Sequence, residues 1–147
     1  MNVLVVNGPN VNLLGYREPH IYGSVTLADV QAHLERLGKE LGDVEVEFFH
    51  SNHEGAIIDR LHAVRGTGLA GCILNPGGLT HYSVSLHDAI TAVDYPFVEV
   101  HITNIQAREE WRHRSLISPA AVGTIAGLGW RGYELALRYL VERAREK

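Results

Sequence analysis

Short apolar runs recur along this chain, at residues 2–6, 44–49, 69–74, 97–102 and, less clearly, 122–127, with segments of helical period between them. Most of the runs are apolar without alternation, as strands covered on both faces should be. Strands that alternate with helices in this way build βαβ units on a parallel sheet.

The intervening segments carry their own punctuation. Leu27, Val30, Leu34, Leu37 and Leu41 repeat at three- and four-residue spacing, one face of a helix that Thr26 caps and Gly42 ends. Ser51 followed by Glu54 reads as a capping box opening a second helix, with Ile57, Leu61 and Val64 inward. A third helix is expected over residues 83–93. A last one, over 132–145, should bury Tyr133, Leu137, Leu140 and Val141. Five strands so arranged favour an α/β flavodoxin-like three-layer sandwich, its five-stranded parallel sheet in the order 2-1-3-4-5. The 147 residues suit one domain. Ligands bind such sheets at the carboxyl ends of the strands, where the order reverses. The loops after the first and third strands flank that point.

Composition removes several function classes. The net charge is −4 with no basic block, which argues against a nucleic-acid partner. No stretch approaches the roughly 20 apolar residues that cross a bilayer. The first run reads as a strand and not a signal peptide, so a cytoplasmic protein with no membrane partner is expected. Cys72 is the single cysteine and lies in an apolar run, which suits a buried, inert thiol and rules out an internal disulfide. Lysine occurs only at Lys39 and Lys147, neither placed as a buried amine, so covalent imine chemistry is disfavoured.

The first loop, NGPNVNLLGYREPHIYG, is long for a βα connection, where about 2–6 residues is usual, and long loops often serve as lids or binding loops. It brings three asparagines, Arg17, Tyr16 and Tyr22. The third strand runs into NPGGLTHYS, whose paired glycines let backbone approach a ligand closely. The plainer alternative is a glycine-rich turn with Thr80 as a helix cap and His81 merely exposed. The fourth strand ends in EVHITN, where Glu99 and His101, two apart, project from one face. A carboxylate beside an imidazole fixes its tautomer and favours the protonated ring, a proton donor. AREEWRHRS supplies Arg108 and Arg112 at i, i+4 spacing, one face if the segment is helical. Arginine forks match carboxylates, although an ion pair with Glu109 or Glu110 is the simpler fate of one of them. His20, His33, His62 and His113 read as surface residues. His50 and His53 lack a third ligand at persuasive spacing, and a zinc site normally needs three.

Taken in order, NGPNVNLLGYREPHIYG, NPGGLTHYSVSLHDAI, EVHITNIQAREEWRHRS and SPAAVGTIAGLGWRGYELAL resemble the type II 3-dehydroquinate dehydratases over nearly the whole chain. The resemblance implies a flavodoxin-like lyase that needs no cofactor or metal and assembles as a dodecamer of four trimers. Its reaction would be dehydration of 3-dehydroquinate to 3-dehydroshikimate through an enolate, in the shikimate pathway to chorismate and the aromatic amino acids. Carried over by motif, Tyr22 would be the general base, with Arg17 activating it from a mobile lid at about 16–24. His101 would be the general acid, with Glu99 orienting it. Asn10 would position a water near the enolate. Asn75, His81, the backbone of Ile102 and Thr103, and Arg112 would bind the substrate. Asp88 would reach a neighbouring subunit's site, and Arg108 would support. Thr103 stands where serine is commoner in the family, and Tyr16, His87 and Gln106 also depart from its pattern without removing a catalytic group.

Two other readings share the fold: a binding or signalling module without catalytic activity, and a flavin-binding electron carrier. A receiver domain needs acidic residues where the first and third strands here end in Asn7 and Asn75, and a lysine after the fifth. A flavin carrier needs a phosphate loop rich in serine and threonine, which GPNVNLL is not.

Overall fold

In the computed structural model, which describes residues 1–147, five strands form one parallel sheet. They are β1 (Asn2–Asn7), β2 (Glu45–His50), β3 (Gly71–Asn75), β4 (Phe97–His101) and β5 (Gly123–Ala126), in the order β2-β1-β3-β4-β5. Every pairing is parallel, and the expected order is the one observed.

The unbroken apolar runs are explained by what covers each face. Val3, Val5, Ile73, Val98 and Val100 point to the side packed by α2 (Leu27–Glu40) and α5 (Arg131–Arg145). Leu4, Val6, Cys72, Leu74 and Phe97 point the other way, under α3 (Glu54–Ala63) and α4 (Val84–Thr91). Successive strand residues thus feed two separate cores. The edge strands are less covered, and Gly123 and Thr124 are exposed, which is why the fifth run is the faintest in the sequence. Cys72 is fully buried, and burial pushes its thiol up, away from the reactive thiolate.

Helix ends follow the sequence in part. Thr26 accepts from the Asp29 N–H at 3.1 Å while the Asp29 carboxylate accepts from the Thr26 N–H at 3.0 Å, a capping box that starts α2. The box expected from Ser51 and Glu54 does not form. His53 occupies the cap position, so Glu54 is the first helical residue and cannot reach back over the cap. Ser51 instead accepts from the His53 N–H at 2.9 Å, and Glu54 accepts from the Ser83 hydroxyl at 2.6 Å. Ser83 caps α4, which is shorter than expected. His33, expected at the surface, is half-buried between α2 and α5, 2.9 Å from Glu134 and edge-on to Trp130. No helix is long and apolar enough to cross a membrane.

At the point where the strand order reverses, the loops after β1 and β3 touch through backbone. The Gly8 N–H donates to the Asn75 carbonyl at 2.8 Å. A Cβ at Gly8 would sit 2.5 Å from the Pro76 carbonyl oxygen, and one at Gly77 (φ +59°) would sit 2.8 Å from that of Pro9. Only glycine permits this approach. The two loops form one floor.

Candidate active site

Above that floor lies a cleft of about 230 Å³ at the carboxyl ends of β1, β3 and β4. The first loop contributes Asn10, Arg17 and Tyr22, the second contributes Asn75 and His81, and the segment leaving β4 contributes His101, Ile102, Thr103, Arg108 and Arg112. Ten of the twelve residues singled out in the sequence therefore meet around one space. Glu99 lies behind His101, outside the lining and fully buried. Asp88 does not join them; it is exposed on α4, beside His87.

Tyr22 ends α1 (Pro19–Tyr22), a short helix opened by Pro19 at its first position. Its ring packs against the α2–α5 core and its hydroxyl accepts from Arg108 at 2.8 Å. The same guanidinium nitrogen reaches the Thr103 hydroxyl at 3.3 Å. Arg17 stands over the ring face, 5.0 Å from its centre, and pairs with Glu18 at 3.5 Å. Two guanidinium groups thus flank one phenol, one at its hydroxyl and one over its ring.

His101 Nε2 lies 2.8 Å from Glu99 Oε1, which leaves the other ring nitrogen as the one available to the cleft. Glu99 also accepts from Thr80, Ser115 and Ser118. Burial works to raise the Glu99 carboxyl, but the bonds from His101, Ser118 and Thr80 and the imidazole's charge outweigh it and hold it down at about 2. The carboxylate is therefore ionised beside the ring.

Asn10 adopts the left-handed conformation (φ 71°), and its N–H donates to Asn52 at 2.9 Å. Asn75 donates to the Tyr133 hydroxyl at 2.8 Å and accepts from the Gly77 N–H at 3.1 Å, keeping one donor and one acceptor for a ligand. The Tyr133 hydroxyl donates onward to Asn7 at 2.5 Å. His81 is held by the Arg114 carbonyl at 2.8 Å, with its ring edge-on to Trp111. Arg112 lies over Trp111 at 4.0 Å and bonds Glu109 through Nε, the ion pair anticipated for one of the two arginines. Arg108 and Arg112 share the cleft without sharing a helix, since the segment folds as 3-10 turns at Ile105–Ala107 and Glu110–Arg112. No three His, Cys, Asp or Glu side chains gather as a metal site would require.

Sequence reasoning did not single out several contributors. Trp111 shapes the arginine and histidine walls, Asn52 steadies Asn10, and Tyr133 ties Asn7 to Asn75. Tyr133 was legible only as a core residue, because nothing local marks a helix tyrosine whose hydroxyl ends under a cleft.

The family description "Dehydroquinase class II" matches residues 1–141. A 3-dehydroquinate dehydratase of Desulforudis audaxviator is 57% identical, over 97% of this chain and 93% of its own length. A catabolic 3-dehydroquinase of Aspergillus oryzae is 52% identical, over 95% of this chain and 90% of its own. The crystal structure of the type II dehydroquinase from Butyrivibrio crossotus superposes with a TM-score of 0.92 at 42% identity, covering 95% of this chain and 97% of that one. With the motifs in order and the sheet order shared, the chain belongs to the class II dehydroquinase family.

Proposed function

We infer that this chain carries out the reaction in its relatives' names, the dehydration of 3-dehydroquinate, with Tyr22 as general base and His101 as general acid. The observation that carries the reading is that a phenol bonded by Arg108 and an imidazole backed by an ionised carboxylate open onto the same cleft. Among relatives of similar identity, one is named simply a 3-dehydroquinate dehydratase and another a catabolic 3-dehydroquinase. The shared property is the chemistry, not the direction of the pathway.

The substrate is a β-hydroxy ketone bearing a carboxylate. Tyr22, as phenolate, takes a proton from the carbon beside the ketone, and the electron pair moves into an enolate. The enolate re-forms the ketone as the C–O bond to the hydroxyl breaks, and His101 protonates the departing oxygen, which leaves as water. An unperturbed tyrosine has a pKa of about 10, so a phenol serving as base near neutrality needs cations beside it. Arg108 and Arg17 supply them. Asn10 holds a water that donates to the enolate oxygen. Asn75, His81 and the backbone of Ile102 and Thr103 take the substrate's hydroxyls, and the terminal nitrogens of Arg112 take its carboxylate.

Residues 16–24 act as the lid, and Asp88 serves a neighbouring copy in a dodecamer of four trimers. Its exposure on α4, away from this chain's own cleft, is what such a role requires. No lysine lines the cleft, in keeping with an enolate route and not an imine.

The test is incubation with 3-dehydroquinate, following ultraviolet absorption of the conjugated ketone product. Borohydride should leave activity intact. Tyr22→Phe should lose most of kcat with an unchanged far-UV spectrum. Near-normal turnover in that variant would remove tyrosine from the role of base.

A further inference from the structure

Thr80 invites a capping role in the sequence, but Ser83 fills it by accepting from the Leu86 N–H at 3.0 Å. The Thr80 hydroxyl turns the other way. Thr80 is fully buried and donates to Glu99 Oε1. Ser115 donates to the same oxygen at 2.8 Å, and Ser118 donates to Oε2. His101 meets Oε1 at 2.8 Å, so three donors converge on one carboxylate oxygen.

The strand alone cannot produce this alignment. β4 places Glu99 and His101 on one face, but a glutamate side chain has three rotatable bonds and could meet the ring from several directions. Its direction is fixed by donors from outside the strand. Thr80 comes from the 3-10 turn Gly77–His81, and Ser115 and Ser118 come from the segment beyond Arg112. Ser115 is also a scaffold for its own turn, accepting from the Ile117 and Ser118 N–H groups at 3.0 and 2.9 Å. Removing it would unwind that turn. The Thr80 side chain has no backbone partner: its hydroxyl meets only Glu99 and the Ser115 hydroxyl, the latter at 2.9 Å, while its carbonyl accepts from the Leu116 N–H at 2.7 Å. The Thr80 hydroxyl is therefore the donor that can be removed while the backbone bonds to Ser115 that hold the turn stay in place.

We propose that Thr80 is a positioning residue for the dehydration: acting through Glu99, it sets the angle at which His101 presents its ring to the cleft. This rests on the reading of His101 as the general acid. Deleting the outer partners that orient a metal-bound histidine commonly costs about 10–100-fold, and the lower end of that scale is the expectation for an imidazole oriented through Glu99. Thr80 is fully buried and outside the cleft lining, so the loss falls on kcat.

The experiment compares Thr80→Val, Thr80→Ser and His101→Asn in steady-state turnover of 3-dehydroquinate, with proton NMR of the hydrogen shared by His101 and Glu99. Thr80→Val should lose about tenfold or more in kcat with KM changed by no more than about twofold. The shared proton should give one sharp downfield signal in the wild type and a broadened or shifted one in Thr80→Val. Thr80→Ser should restore both. If the valine variant does not fold, Thr80→Cys, a weaker donor of similar size, should give an intermediate loss and an intermediate signal. Wild-type kcat in Thr80→Val beside an inactive His101→Asn overturns this inference alone. Normal turnover in His101→Asn overturns the acid assignment beneath it. A kcat loss with an unmoved proton signal marks Thr80 as structural and also overturns the inference.

Discussion

The guanidinium of Arg108 hydrogen-bonds the hydroxyl of Tyr22 at 2.8 Å across 86 residues of sequence, whereas Arg17, five residues away, meets only the ring face. The sequence distance misleads here. Tyr22 and Arg17 ride on one loop, so their contact moves with that loop, but Arg108 holds the hydroxyl from the segment after β4. Of the two cations, Arg108 has the geometry to stabilise charge at the hydroxyl oxygen.

Arg108→Met should therefore lose about a hundredfold in kcat, the scale of deleting one preorganised donor at a developing or reacting charge. KM should change less, because Arg108 is spent on Tyr22 and Thr103. Single-turnover kinetics would check this. A kcat within about threefold of wild type would return the activating role to Arg17 alone.

Glu99 gives a prediction of the opposite kind, for stability against pH. Its carboxyl titrates at about 2 when folded, below the ordinary value of about 4.3 for an unfolded chain. A group depressed on folding stabilises the protein above its unfolded value and loses that contribution as pH falls through the folded one. The wild type should lose stability steadily between about pH 4.5 and pH 2. Glu99→Gln, less stable near neutrality, should show a shallower slope over that window. Parallel Tm-versus-pH curves for the two proteins would exclude Glu99 as a source of the acid dependence.

How legible all this was depends on whether a signal is local. The sheet order could be read because the strand runs and the Leu27–Leu41 stripe announce themselves within a few residues. The cleft could be read because loops after adjacent strands must meet, and Asn10, Tyr22 and His81 sit in those loops while Asn75 and His101 end the strands that open into them. The hydroxyls around Glu99 could not, since Thr80 comes from one segment and Ser115 and Ser118 from another, and serines and threonines are common in turns. Ser51 with Glu54 matched a local pattern that the fold overrode once His53 became the cap. The pairing of Arg108 with Tyr22 was hidden by sequence distance.

Tyr133 is such a distant partner, and it can be tested. Its hydroxyl is fully buried, donating to Asn7 at 2.5 Å and accepting from Asn75 at 2.8 Å. Tyr133→Phe keeps the ring but leaves two buried amide groups each short of a partner. The cost should be about 1–3 kcal/mol, lowering Tm by several degrees. Because Asn75 also faces the cleft, KM should rise as its carboxamide loosens. A variant with wild-type Tm and KM would show that water replaces the hydroxyl without consequence.

Gly8 separates the floor of the cleft from its walls. It is buried directly under Pro76, and its own N–H is tied to the Asn75 carbonyl. Adding one methyl group places carbon 2.5 Å from a backbone oxygen that has no flexible end to move aside. The loops must then part, carrying Asn10 away from Asn75 while leaving His101 and Arg108, which follow β4, in place. Gly8→Ala should destabilise by about 1–3 kcal/mol, the usual cost of overpacking. It should also lose substrate affinity and turnover together, since the proposed roles put the enolate's water on one loop and the substrate's hydroxyls on the other. Gly78, beside Gly77, has open space where its Cβ would go, so Gly78→Ala is the control and should stay near wild type in stability. If both alanine variants behaved alike, the close approach of the two backbones would not be what holds the floor together.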